Sequence, residues 1–225
     1  MILVLFGPPG VGKGTQGRRI VEECGVPKIS TGAIFRDLAA AGTEMGLSAK
    51  SYWSTGQLVP DKIVVGLVKE RISEPDCLNG FIMDGFPRTV AQAKIFDGIL
   101  SENGLKVDGV INLQANEEAL TQRLSGRRTC DNCGATFHID SMPSKQAGVC
   151  DYCGHALVQR NDDNPESIRI RLREYNKKTE PVIDFYQNAN VLRNVDGERV
   201  PDDVFADVAK IIKECGCKAP ALAVV

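Results

Sequence analysis

The segment Gly7-Pro-Pro-Gly-Val-Gly-Lys-Gly-Thr15 places one lysine, Lys13, among four glycines. Glycines let successive backbone N–H groups turn inward around an anion. A lysine at the end of such a loop adds a mobile point charge. The apolar run before the segment and the helical pattern after it give the strand-loop-helix context of a phosphate loop, and the helix N-terminus adds its positive end. A glycine-rich turn with an exposed lysine is the alternative, and nine residues in order in that context weigh against it. The general pattern has Ser or Thr directly after the lysine to hold Mg²⁺. Here Gly14 stands in that place and Thr15 comes next.

A second group is acid plus arginine. Asp84 closes the apolar run Phe-Ile-Met-Asp and leads into Gly85-Phe86-Pro87-Arg88. An acid at the carboxyl end of a strand beside a phosphate loop can hold Mg²⁺, directly or through water. A helix-capping acid is the other reading. Arg123 and Arg127 are four apart, a spacing that puts both on one helical face. Arg160 precedes Asp162 and Asp163, and Arg171 lies in a further helical pattern. Each alone reads as a solvated charge or a surface ion pair. Around a phosphate loop they form a cage for a transferring phosphoryl group, chemistry that needs positioning and charge neutralisation more than a covalent nucleophile.

A third group is Cys130, Cys133, Cys150 and Cys153, spaced C-x₂-C-x₁₆-C-x₂-C. Two such knuckles suit a tetrahedral metal site, zinc first, with iron or cobalt also accepted by sulfur. A nucleic-acid zinc ribbon looks similar, and a disulfide after oxidation is a third reading. His138 and His155 are rival ligands, the first able to replace a cysteine, the second better read as a surface residue. Cys24 and Cys77 read as packed, and Cys215 and Cys217 as incidental thiols before a short Ala/Val tail.

The elements that must position these groups come from the apolar pattern. The 225 residues carry a formal charge of -2 and 43% hydrophobic residues, so one main globular domain is expected and no overall basicity points to nucleic acid or membranes. The opening apolar run is too short for a membrane span or a secretory signal, which favours the cytoplasm and reduced thiols. Strands are expected over residues 1–6, 81–84, 110–113 and 191–195, and helices over 13–23, 61–73, 91–101, 117–124, 165–188 and 202–214. Alternation of the two predicts a parallel sheet covered on both faces, an α/β fold. Residues 30–59, helical without a strong strand, and residues 126–163, rich in Gly, Cys, Asp and Asn, interrupt that rhythm.

With these motifs in order, the chain resembles the adenylate kinase family over about its whole length. The pieces are GPPGVGKGT, ISTGAIFR, GQLVP, GFIMDGFPRT with Gln92, LSGRR, QRNDD and SIRIRLREY. The Gly-Lys-Gly-Thr form resembles nucleoside monophosphate kinases more than GTPases or motor ATPases. The resemblance implies a phosphate-loop NTPase-type sheet, the reaction ATP + AMP ⇌ 2 ADP with Mg²⁺, a role in adenine nucleotide homeostasis, and a monomer. It implies a core of residues 1–29, 60–125 and 164–225, an AMP-binding segment over 30–59 and a lid over 126–163 that closes to exclude water.

Residue by residue, it implies that Gly10, Val11, Gly12, Lys13, Gly14 and Thr15 hold the ATP phosphates. Thr31, Arg36, Gln57, Leu58, Val59, Gly85, Phe86, Pro87, Arg88 and Gln92 would bind AMP, with Gln92 on the adenine edge. Arg123, Arg127, Arg160 and Arg171 would close on the phosphates, the last two also on AMP, with Asp84 near the metal. Thr136 and Phe137 match a lid position near the adenine of ATP. Arg199 matches a position whose backbone faces that adenine, although Val200 replaces the proline usual after it. The cysteines match the zinc site of some bacterial lids. A nucleoside monophosphate kinase with another donor, such as GTP, and a zinc-ribbon protein that uses ATP as a switch are the competing functions.

Overall fold

The computed structural model of the protein describes residues 1–217. Its main sheet has five strands: β1 (Ile2–Phe6), β2 (Lys28–Ser30), β3 (Phe81–Asp84), β4 (Gly109–Gln114) and β8 (Leu192–Asp196), in the order β2-β3-β1-β4-β8. Every pairing is parallel. Strand β1 is apolar throughout because both its faces are covered. Ile2, Val4 and Phe6 enter one apolar cluster, and Leu3 and Leu5 enter the other. Helices α1 (Lys13–Cys24) and α9 (Pro201–Glu214) pack on the second face, with Ile20, Val204, Val208, Ile211 and Ile212 buried there. The first face carries α4 (Asp61–Ile72), α5 (Val90–Glu102) and α8 (Pro181–Asn188). Strand register fixes where the chain leaves the sheet. Asp84 aligns with Leu5 and with Ser30, so the loops leaving β1, β2 and β3 emerge at one edge.

Three expectations need correction. Strand β2 was not expected. It is a three-residue edge strand in which only Ile29 is buried, too short to carry a readable period. Residues 165–188 do not form one helix. Helix α7 (Pro165–Glu174) widens into a π turn at Tyr175–Thr179, and α8 restarts at Pro181. Proline has no N–H and its ring clashes with the carbonyl four residues earlier, so a regular helix cannot run through it. Arg123 and Arg127 do not share a helical face, because α6 (Glu117–Ser125) stops at Gly126 and Arg127 opens strand β5 (Arg127–Cys130).

Strand β5 centres a second, antiparallel sheet with β6 (Thr136–His138) and β7 (Leu157–Val158). A Cβ on Gly126 would meet the His138 ring at 2.2 Å, so only glycine lets the chain turn into this sheet beneath that ring. Between β2 and α4 lie α2 (Thr31–Ala40) and α3 (Glu44–Trp53), which pack on each other.

The cysteines outside the small sheet also depart from expectation. Cys24 and Cys217 form a disulfide with Cα atoms 5.5 Å apart, so neither is a free thiol. Their 193-residue separation hides the contact in the sequence. It arises because α9 lies along α1 and the turn at Gly216 carries Cys217 back to the end of α1. Cys77 is buried as expected, and Cys215 remains free. The Ala/Val tail lies outside the described residues. Among the described residues, no helix is long and apolar enough to cross a membrane.

Candidate active site and metal centre

The phosphate loop leaves β1 at Gly7 and enters α1 at Lys13. Gly10 and Gly12 have φ of 88° and 109°, in the region closed to most L side chains, which is why the loop is built of glycine. Lys13 Nζ donates to the carbonyls of Gly7 and Pro8 at 2.6 and 2.9 Å. The side chain is partly buried, and loss of solvation, with smaller contributions from Arg88, Arg171 and Arg127, lowers its pKa from 10.5 to about 8 against the opposing pull of Asp84. The same influences show which groups surround it.

The arginines converge around this lysine from separate elements. Arg88 is pushed down by burial and by Arg171 and Arg36. Arg36, on α2, is pushed down by burial and by Arg127. Arg160 falls to about 9 through burial and the nearness of Arg127 and Arg36. Two acids hold the set in place. Asp163, with its side chain fully buried, accepts from Arg127 Nε at 2.8 Å and from Arg171 Nη1 at 3.0 Å. Asp162 pairs with Arg171 at 3.0 Å. Neither acid stood among the expected site residues, and their place just beyond Arg160 was the available signal. Buried ion pairs cost several kcal/mol of desolvation per ion and are weak evidence for stability. Positively charged groups outnumber the carboxylates here, so the arrangement is built for an anion rather than for holding the fold together.

The second half of the site forms where β2 and β3 end. Thr31 Oγ1 donates to the Gly85 carbonyl at 3.1 Å, and Arg88 Nε donates to the same oxygen at 2.7 Å. The Phe86–Pro87 peptide between them is cis. The capping alternative for Asp84 does not hold, because Thr89 caps α5. Gln92 is 1% exposed, accepts from the Arg88 N–H at 2.7 Å and donates to Asp61 at 2.7 Å. Each end of its amide keeps further capacity for a ligand. Asp61 also accepts from Thr89 at 3.0 Å. It was not expected, since 31 residues separate it from its glutamine. Gln57 is exposed, Leu58 half-buried and Val59 buried. They come directly after Gly56, whose missing Cβ would lie 3.2 Å from Arg171.

The residues expected near the other nucleotide are less concentrated. Thr136 faces the start of α1, 4.0 Å from where a Cβ on Gly14 would stand. Phe137 is buried in the small sheet's own cluster. Arg123 donates to the carbonyls of Gly197 and Glu198 at 2.6 and 2.8 Å, fixing the turn that packs on Val11 of the loop. The Arg199 side chain donates to Asp207 at 2.6 Å and lies 3.6 Å from Asp196.

The four cysteines of the two knuckles meet. Their Sγ atoms all lie within 4.8 Å of one another, with Cys130–Cys153 at 3.4 Å and Cys133–Cys150 at 3.5 Å. A tetrahedral S₄ zinc site has sulfur–sulfur edges of about 3.8 Å, so the set fits one ion. The two knuckles repeat one hydrogen-bond pattern. Gly134 N–H donates to the Cys130 carbonyl and Gly154 N–H to the Cys150 carbonyl, at 3.0 and 2.9 Å. The His155 N–H lowers the pKa of Cys153, while burial raises that of Cys133, so the four thiols do not share one environment. His138 is not a ligand. Its Nδ1 accepts from the Asp140 and Ser141 N–H groups at 3.1 Å, and its Nε2 faces the Gln122 carbonyl. His155 is exposed, as expected.

Comparison with known proteins agrees with this geometry. The family model described as adenylate kinase matches residues 5–191. The chain is 48% identical over 214 residues to the adenylate kinase of Archaeoglobus fulgidus, covering 95% of this chain and 99% of that protein. It is 49% identical over 212 residues to that of Bacillus licheniformis, covering 94% and 98%. Against that of Methanocella arvoryzae it is 49% identical over 214 residues, covering 95% and 99%. A phosphate loop, an arginine cage and a family match spanning most of the sequence lead to one conclusion: the chain belongs to the adenylate kinase family.

Proposed function

We propose that the cage around Lys13 carries out the family's reaction, ATP + AMP ⇌ 2 ADP, with each half of the site taking one nucleotide. The observation that carries the proposal is the convergence of Lys13, Asp84, Arg88, Arg127 and Arg171 beside the carboxyl ends of β1 and β3. The loop from Gly10 to Thr15 and Lys13 hold the donor phosphates. Arg36 and Arg88 hold the acceptor phosphate, and Thr31, Gln57–Val59, Gly85 and Gln92 hold its nucleoside. Arg127, Arg160 and Arg171 neutralise the charge that spreads over the transferring group. The Mg²⁺ that accompanies ATP in this family supplies further neutralisation when bound, and Asp84 is the residue placed to hold it.

Residues 1–29, 60–125 and 164–225 are the core in this reading, 30–59 the AMP-binding segment and 126–163 the lid. Thr136, Phe137 and the backbone at Arg199 border the donor adenine. Zinc in the four-cysteine site is structural, since four thiolates leave no position for water. It staples a segment whose buried cluster is only Cys130, Ala135, Phe137 and Cys150. We take the enzyme to be a cytoplasmic monomer that does not bind nucleic acid. The Cys24–Cys217 disulfide pulls against that compartment.

The test is ADP formation from MgATP with AMP, CMP, UMP or GMP, and with no acceptor. Fast turnover with AMP alone supports the assignment. Turnover with another monophosphate keeps the reaction class and removes the adenine role of Gln92. Acceptor-independent hydrolysis, or no turnover by folded, metal-loaded protein, overturns it.

A further inference from the structure

Two adjacent arginines on α1 reach in different directions. Arg19 stacks on Phe205 and pairs with Asp202 at 2.8 Å, clamping α1 to α9. Arg18 turns instead toward the cysteine knuckles. Its guanidinium lies 4.6 Å from the ring centre of Tyr152 and donates to the Cys133 carbonyl at 3.4 Å. Both contacts belong to the metal site, since Tyr152 stands between Cys150 and Cys153 in the second knuckle. Tyr152 is 66% exposed, a large side chain at the position that the first knuckle fills with Asn132. Its other neighbour is Phe137, 6.1 Å away. Gly14, one turn before Arg18 on the same face of α1, faces Thr136. The small sheet thus meets one face of the phosphate-loop helix at two points.

We propose that Arg18 is a positioning residue for the donor nucleotide: through Tyr152 and the Cys133 carbonyl it latches the knuckles onto α1 and sets how much of the protein has the lid closed. The proposal rests on the reading of residues 126–163 as a lid. Among the described residues Arg18 shares no hydrogen bond or ion pair with the cage, and it takes no part in the chemistry. A cation over an exposed aromatic ring is worth about 0.5–1 kcal/mol, and the long carbonyl contact adds little, so the latch shifts closure by roughly two- to fivefold. That is weak enough to release on every turnover. Lid opening limits turnover in many enzymes of this kind, so a tighter latch would slow them.

The test uses the full-length, metal-loaded protein with Arg18→Ala, Arg18→Lys, Tyr152→Leu, Tyr152→Phe and the Ala/Leu double variant. Fluorophores carried by non-cysteine residues at Gln146 and Leu78 report the distance between the lid and the core. Arg18→Ala and Tyr152→Leu should each lengthen that distance and raise KM for MgATP about two- to fivefold. The kcat should stay level or rise, and KM for AMP should change less. The double variant should be no worse than either single one, Tyr152→Phe should match the wild type, and Arg18→Lys should fall between. Metal content and melting temperature should not move. Unchanged KM and distance, or additive effects in the double variant, overturn the latch. A fall in kcat accompanied by metal loss assigns Tyr152 to the knuckle fold and overturns it as well. If MgATP leaves the wild-type distance unchanged, the lid reading itself fails and the latch falls with it.

Discussion

The two sheets of this protein are stabilised by different means. The five-stranded sheet is sandwiched between two apolar clusters, and its central strand has no exposed residue. The three-stranded sheet buries one small cluster in which two of the four residues belong to the four-cysteine set. A segment of that size cannot bury enough apolar area to offset its own ordering, so covalent or metal links must supply the difference. The arginines that need fixed positions reach the site from both regions. Lys13 and Arg88 rest on the large sheet, while Arg127 and Arg160 leave the small one or its edge. The cage is therefore as rigid as the link between the two parts, and that link runs through Asp163.

The contrast between the sheets breaks most visibly at Lys13. Lys13→Ala or Arg88→Ala should lower kcat by about 10²-fold or more, with circular dichroism and melting temperature close to wild type. A near-normal rate in either variant would detach the chemistry from the large sheet. Next in size is Cys150→Ser. It should lose metal and destabilise the small sheet by several kcal/mol, a part of the roughly 10–16 kcal/mol that a structural zinc supplies, while the large sheet melts as before. A single unchanged transition with full metal occupancy would show that the small sheet stands without its staple. Reducing the Cys24–Cys217 disulfide, or Cys217→Ser, should cost the large sheet about 2–4 kcal/mol, read as a melting temperature several degrees lower. The knuckles should not notice.

The smallest effect is a pH dependence. Lys13 titrates at about 8 in the folded chain and at 10.5 unfolded. Between those values the unfolded chain binds more protons, so this group makes stability rise with pH. Donor capture runs the other way. The kcat/KM for MgATP should fall about tenfold per unit above pH 8 as the charge is lost. The kcat should hold to higher pH, because bound phosphate favours the charged lysine. Parallel profiles for the two constants would show that Lys13 keeps its proton without help from substrate.

What the sequence made legible was local. The phosphate loop, the Asp-Gly-Phe-Pro-Arg turn and the cysteine knuckles each carry their chemistry within a few residues, and each sits in the local structure its pattern implies. Three strands with strong apolar runs were likewise readable. What stayed hidden depends on contacts between distant parts. Asp61 orients Gln92 only after α4 and α5 pack together. Asp163 becomes the counter-ion of Arg127 only when β5 is paired and α7 is in place. The disulfide needs both ends of the chain folded onto one another. Strand β2 escaped for a different reason, since three residues with one buried side chain leave no period to detect.

Asp163 has a consequence for binding thermodynamics. An arginine loses up to about 2 kcal/mol of rotamer freedom when its side chain is fixed. Arg127 and Arg171 already share this carboxylate, so that loss falls at folding and not at nucleotide capture. An arriving phosphate meets two forks already aimed, and its binding becomes a competition between anions in place of the gathering of loose cations.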